Sequence, residues 1–281
     1  MAEWFLFLPQ VRLPVADIAE RARYAEASGF DGIAFIDHLE APGQPAENIW
    51  EAMGIATWVA AKTQRLKIGH LVLCDAFRHP AVLAKQAVTL AAASDGRFEL
   101  GLGSGSWPAE FARFDVGDQD PVARVRQLEQ HLGLIRQYWA DGERAQSPKP
   151  AHPIPLILGG SGRRMMELVA KYADWWNLQS NHIDRLSRLA PAAGGARISV
   201  QQMVGFIRSG SDPDAVREVS SRRFGHLGPG LVCGDAAELR RYFAGLAAQR
   251  VERFYVWFAD FAVPESLAEF GESVIKEFSS P

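Results

Sequence analysis

His38 is the side chain in this sequence best suited to moving a proton. It follows Gly32-Ile33-Ala34-Phe35-Ile36, a short apolar run that ends at Asp37. An imidazole titrates near neutrality, so at the mouth of a pocket it can serve as a general acid or base, or hydrogen-bond a planar ring. Asp37 is a candidate contact for the same ligand. The pair also reads as a helix-capping aspartate beside a surface histidine. A second pattern lies at Pro155 to Leu158, an apolar run followed by Gly159-Gly160-Ser161-Gly162-Arg163-Arg164. A glycine turn that opens into a helix lets backbone N–H groups approach an anion, and the helix dipole favours negative charge there. Arg163 could help hold a phosphate, although a cation in the first turn opposes the dipole. A tight turn with solvated arginines would have the same sequence.

Two further stretches could touch a ligand. Cys74-Asp75 precedes Arg78, which either faces an anion or simply leads into a helix. In Gly103-Ser104-Gly105-Ser106-Trp107 the missing side chains permit close approach of a flat molecule, with Glu110 one turn later; a glycine turn covered by a tryptophan is the plainer reading. The histidines at 70, 131, 152, 182 and 226 form no ligand cluster, so no metal is expected.

These candidates must be positioned by regular elements, and the pattern for those is clear. Apolar runs of strand length fall at 4–8, 32–36, 66–74, 98–102, 155–158, from Trp175, at 198–204 and at 254–258. Between them lie helical stripes: Ile18, Ala22 and Ala25; Leu83, Ala87 and Leu90; Leu128, Leu132, Ile135 and Trp139; Met165, Leu168, Val169 and Tyr172. Asp235 with Glu238 has the spacing of a capping box, and Leu267, Phe270, Val274 and Phe278 form a closing stripe. Helices are expected over about 49–63 and from Pro80 and Asp120-Pro121. Segments 41–46, 108–117 and 181–196 read as loops. Alternation in Trp175-Trp176 sends one indole into a barrel and the other towards the helices.

Eight strands alternating with helices, with no linker or break in composition, predict an α/β fold, a single (β/α)8 TIM barrel over 1–281 with insertions in its C-terminal-face loops. An open doubly wound sheet is disfavoured because no glycine fingerprint follows the first strand. The chain has 281 residues, 48% of them hydrophobic, and a net charge of -3. Nothing in that balance points to nucleic acid or a membrane surface. Glu3 stands where a signal peptide would be basic, and the first apolar run stops at Pro9, so a cytoplasmic protein is expected. Cys74 and Cys233 have no metal-ligand spacing, and a disulfide between them is not expected.

Several stretches resemble the luciferase-like monooxygenase superfamily. They are Gly-Phe-Asp-Gly-Ile-Ala-Phe-Ile-Asp-His at 29–38, Thr63 to Cys74, Phe77-Arg78-His79-Pro80-Ala81 with Leu83 to Gln86, Ser94 to Gly103, Glu110-Phe111, Pro155 to Gly162 and Tyr172-Ala173-Asp174. Their order and spacing carry the likeness across nearly the whole chain. The resemblance implies a barrel that binds the deazaflavin coenzyme F-420 or FMN at its C-terminal mouth. It places a non-proline cis peptide at Leu71-Val72 behind the ring and gives the Gly-Gly-Ser-Gly turn a phosphate. His38 matches the family's proton donor or acceptor, and Glu110 a recurrent glutamate of structural role. Some sugar-phosphate dehydrogenases of the family have a catalytic glutamate where this chain has Ser106, so that chemistry is not expected here.

The function expected is hydride transfer between F-420 and a small organic substrate. Two-component FMN monooxygenase chemistry with oxygen is the alternative. His38 is the expected catalytic residue. Asp37, Leu71, Val72, Ser104, Gly105, Gly159, Gly160, Ser161, Gly162 and Arg163 are the expected cofactor contacts. A separate reductase supplying reduced cofactor and a homodimer are compatible with the resemblance.

Overall fold

The structure, a computed structural model, describes residues 2–279, so the outermost residues of the expected 1–281 domain lie outside it. The chain opens β1 (Glu3–Phe7), α1 (Val15–Ala27), β2 (Gly32–Phe35), α2 (Ala52–Ala60). β3 (Lys67–His70) and β4 (Leu73–Cys74) are two pieces of one strand, on either side of a cis peptide bond between Leu71 and Val72. Next come α3 (Pro80–Ala93), β5 (Leu100–Gly103), α4 (Pro108–Phe114), α5 (Pro121–Trp139), β6 (Leu156–Gly159) and α6 (Arg163–Tyr172). The last third holds β7 (Trp175–Gln179), α7 (Leu186–Leu189), β8 (Arg197–Phe206), α8 (Pro213–Phe224) and β9 (Leu231–Gly234). It closes with α9 (Ala236–Ala247), β10 (Val251–Phe258), α10 (Pro264–Phe270) and α11 (Lys276–Ser279).

The sheet order is β3-β2-β1-β10-β8-β7-β6-β5-β4. Its two ends are the two pieces of one strand, so the path returns to its start and the sheet is a closed TIM barrel. A parallel bridge from Ile68 to Phe98 completes the seam. β9 lies outside the ring and pairs with the far end of β8, Leu231 opposite Met203.

Along each strand alternate side chains point inward. Phe5, Phe7, Ala34, Leu71, Ile157, Trp175 and Tyr255 pack together, while Trp4, Leu6, Ile33, Leu100 and Trp176 join the larger core beneath the helices. The tryptophan pair divides as its spacing requires, and Trp176 Nε1 donates to the Gly160 carbonyl at 2.8 Å. At the N-terminal end of the barrel Arg253 is fully buried. Its guanidinium donates to Glu99 at 2.5 and 3.0 Å and to Glu3 at 2.5 and 2.9 Å, and lies 3.8 Å from the centre of the Trp175 ring. Burial works against that charge, but Tyr255, Glu99 and Glu3 outweigh it and hold the pKa above its ordinary value.

The eight strands lie where the apolar runs place them, but the connections depart from expectation. Segment 108–117 is not a simple loop. Pro108, which resembles a loop marker, is the first residue of α4, where its missing N–H goes unused, and Asp115 at φ +51 ends the turn of helix. Segment 181–196 coils through helical turns that include α7. α2 is shorter than 49–63 at both ends, and α8 and β9 have no counterpart among the expected elements. Asp212-Pro213 was a start signal for α8: the Asp212 side chain accepts the Asp214 N–H at 3.0 Å.

His70, 1% exposed, gives the fold a specific acid sensitivity. Its Nε2 lies 3.1 Å from the Ala52 carbonyl oxygen, Nδ1 has no partner, and burial drives its pKa down to about 4. In the unfolded chain a histidine titrates near 6.5. Between those values the unfolded chain takes up a proton that the folded chain refuses, so stability falls as pH falls. From pH 7 to pH 4.5 this should remove about 2 to 3 kcal/mol in the wild type. The loss should be absent from His70→Gln, measured as the difference between their denaturant unfolding curves. A difference that does not change with pH would refute the assignment.

Candidate active site

The C-terminal ends of the strands surround a cavity of about 910 Å³. His38 lines it from the loop after β2. His38 Nδ1 lies 3.0 Å from Glu110 Oε2, while Glu110 Oε1 accepts the backbone N–H groups of Leu39 and, at 3.2 Å, Glu40. Glu110, on α4, is 1% exposed. It therefore ties down the whole turn that carries the histidine, and a carboxylate on Nδ1 assigns the proton to that nitrogen. Nε2, without a partner among the described residues, is left for a ligand.

Asp37 also lines the cavity, but both its oxygens are engaged. They accept the Cys74 N–H at 2.8 Å and two N–H groups of Arg78 at 2.6 and 3.0 Å. Arg78 in turn reaches Glu51 at 2.5 Å, so it braces β2 against β4. Burial pushes the Cys74 thiol up to about 12, which leaves it protonated at neutral pH and a poor nucleophile. Leu71 and Val72 form part of the cavity wall.

The strands on that wall approach closely because of glycine. A Cβ at Gly103 would stand 2.6 Å from the Val72 side chain. Gly105 has φ +82, and a Cβ there would meet the Phe111 ring at 2.3 Å. Ser104 and Gly105 both line the cavity, and Arg124 from α5 donates to the Ser104 carbonyl at 3.1 Å while lying over Phe111.

Across the cavity Gly159, Gly160 and Ser161 form the turn after β6. Gly160 has φ +118. Arg185 donates to the Ser161 hydroxyl at 2.9 Å and to its carbonyl at 3.0 Å, and Arg185 Nε is buried with no partner. Gly162, Arg163 and Arg185 are not among the residues that line the cavity. Gly162 caps α6, and the Arg163 side chain is 93% exposed on the outer surface beside Glu167.

The family model for luciferase-like monooxygenases matches residues 5–268. The chain belongs to this family. This luciferase-like chain is 29% identical over 250 residues to the F420-dependent hydroxymycolic acid dehydrogenase of Mycobacterium tuberculosis, covering 83% of this chain and 65% of that protein. It is 27% identical over 240 residues to the F420-dependent glucose-6-phosphate dehydrogenase of Nakamurella multipartita, covering 74% and 68%. The chain thus spans about two thirds of the length of these relatives. Its fold is similar to that of an F420-dependent secondary alcohol dehydrogenase solved with an F420-acetone adduct, with a TM-score of 0.78, 17% identity and 98% of each chain covered. Among the described residues no helix is long and apolar enough to cross a membrane.

Arg124 and Arg185 escape a reading of the sequence, and Glu110 is named there without its partner, for different reasons. Arg124 had a signal: it sits four residues before Leu128 on the apolar stripe of α5, where an exposed cation would not belong. Glu110 is visible as a family glutamate, but its partner is 72 residues away. Arg185 lies in a segment of turns without periodicity, and nothing local marks it.

Proposed function

We propose that this protein is an oxidoreductase that binds coenzyme F-420 in the C-terminal cavity and acts on a small organic substrate. The observation that carries the reading is the His38–Glu110 pair. A buried carboxylate fixes the imidazole so that one nitrogen is presented to a cavity large enough for a flat cofactor and a substrate together. The named activities of the relatives support the deazaflavin over FMN.

The residues fit such a group. Gly103 and Gly105 let the end of β5 pack closely on Val72, Cys74 and Phe111, which makes the wall at Leu71 and Val72 against which a planar ring could lie. The Gly159-Gly160-Ser161 turn lines the cavity and suits a phosphate through its backbone N–H groups. In this reading Arg185 holds the turn in place from behind, and Asp37 shapes the site through Arg78 and Cys74. When bound, the deazaflavin supplies hydride transfer. His38 Nε2 gives or takes the accompanying proton at the substrate, and Glu110 stabilises the imidazolium that results.

Calorimetric titration tests the reading. F-420 is expected to bind with micromolar affinity and FMN much more weakly. Arg185→Gln should weaken F-420 about tenfold, because the Ser161 turn loses the two hydrogen bonds that hold it in place. Turnover should proceed without oxygen. A preference for FMN with oxygen consumption would replace the proposal with a monooxygenase, and binding of neither would end it.

A further inference from the structure

Arg223 is a cation that forms no ion pair among the described residues. It lies in the last turns of α8 and lines the cavity between the ends of β8 and β10. Its Nη1 donates to the Ala259 carbonyl at 3.0 Å, and the guanidinium lies 3.3 Å from the centre of the Phe261 ring. Nε and Nη2 have no partner, and no carboxylate lies within 4 Å, among the described residues. Arg78 has Asp37 and Glu51, Arg253 has Glu3 and Glu99, and Arg12 has Glu47, whereas Arg222, on the same wall as Arg223, also has no carboxylate within 4 Å among the described residues. Burial lowers the Arg223 pKa to about 10, with Asp260 opposing that shift, so it remains charged at neutral pH.

The platform beneath it is held in an unusual backbone state. Phe261 has φ +62, a conformation that disfavours a bulky side chain. Ala262, at φ +54, is fixed by donating to Asp260 Oδ1 at 3.0 Å. Such outliers persist where the surroundings impose them, and here the result is a flat guanidinium stacked on a ring with one edge free. Arg222 and His226 line the same wall. Among the described residues the carboxylates lining the cavity are Asp37 and Glu110, and both are engaged, so nothing on the lining is free to repel a negative charge.

We propose that the substrate carries an anionic group, a carboxylate or a phosphate, and that the free edge of Arg223 receives it. A two-oxygen anion matches that edge in shape and supplies the missing counter-charge. This place is distinct from the Ser161–Arg185 turn, since β7 and β8 stand between them in the sheet. The inference rests on the reading of the cavity as an oxidoreductase site, where one anion position serves the cofactor and the other the substrate.

The test uses inorganic phosphate as probe, titrated by calorimetry at one low salt concentration into protein with and without saturating F-420. Cofactor-loaded wild type is expected to bind phosphate. Arg223→Gln should weaken this at least tenfold, and Arg223→Lys should weaken it less. Equal phosphate affinity in wild type and both Arg223 variants would overturn the proposal. Arg223-dependent binding that disappears when F-420 is loaded would also overturn it, because the arginine would then serve the cofactor's own anions. If neither F-420 nor FMN binds but phosphate binding still depends on Arg223, the oxidoreductase reading fails and the anion site stands.

Discussion

Replacing His38 with alanine is expected to lower kcat by about 10²- to 10⁴-fold, the usual worth of a positioned acid or base. Cofactor affinity should change little. Glu110 holds Nδ1 at 3.0 Å and anchors the turn at Leu39 and Glu40, so the ring cannot swing away, and Nε2 is what the protein offers to a ligand. Deleting the ring leaves Glu110 still bonded to the two backbone N–H groups, so the turn and the cavity should survive. Added imidazole should then restore part of the turnover, which a purely structural defect would not allow. A kcat within a few-fold of wild type would place the proton donor elsewhere. Steady-state kinetics with and without imidazole, beside a cofactor titration, separates these outcomes.

Arg253→Met is expected to destabilise the barrel by about 3 to 5 kcal/mol, because it leaves Glu99 and Glu3 facing one another at the closed end of the barrel without their shared cation. Glu99 is 4% exposed and cannot recover its hydration by a small movement. Lys67, 3.1 Å from Glu3 but 3.9 Å from Glu99, is placed to serve one of the two. Replacing the glutamates as well, Arg253→Met with Glu99→Leu and Glu3→Gln, should recover much of the loss, since the cost lies in the uncompensated charge. Urea unfolding midpoints at neutral pH read both effects. A single variant as stable as wild type would mean that water reaches the cluster. The site lies at the opposite end of the strands from His38, so folded Arg253→Met should keep its cofactor affinity.

The cavity-lining positions of the Gly159-Gly160-Ser161 turn and of His38 were legible for the same reason. In a barrel the chemistry sits where strands end, and the ends of apolar runs can be read locally: Ile36 gives way to Asp37 and His38, and Leu158 to Gly159. The resemblance adds what local reading cannot, including the cis bond found between Leu71 and Val72. The local reading offers Arg163 to the phosphate turn by proximity in sequence, whereas its side chain stands on the outer surface and Arg185, from the segment after β7, bonds to the turn. At 108–117 proline and glycine read as loop, yet the segment holds the glutamate that positions His38, carried on a helix two turns long.

What the sequence determined by itself is the succession of strands and helices, because hydrophobic period is a property of neighbours a few residues apart. From it follow the closed ring, the inward and outward sides of each strand, and the end at which chemistry must lie. What the tertiary structure alone decided is which charges meet. Glu110 reaches His38 from 72 residues away, Arg253 reaches Glu99 from 154, and Arg223 reaches none. An ion pair leaves no periodic trace, since its strength depends on distance and burial and not on separation along the chain. Those pairings, and the absence of a carboxylate beside Arg223 among the described residues, become visible when the barrel closes.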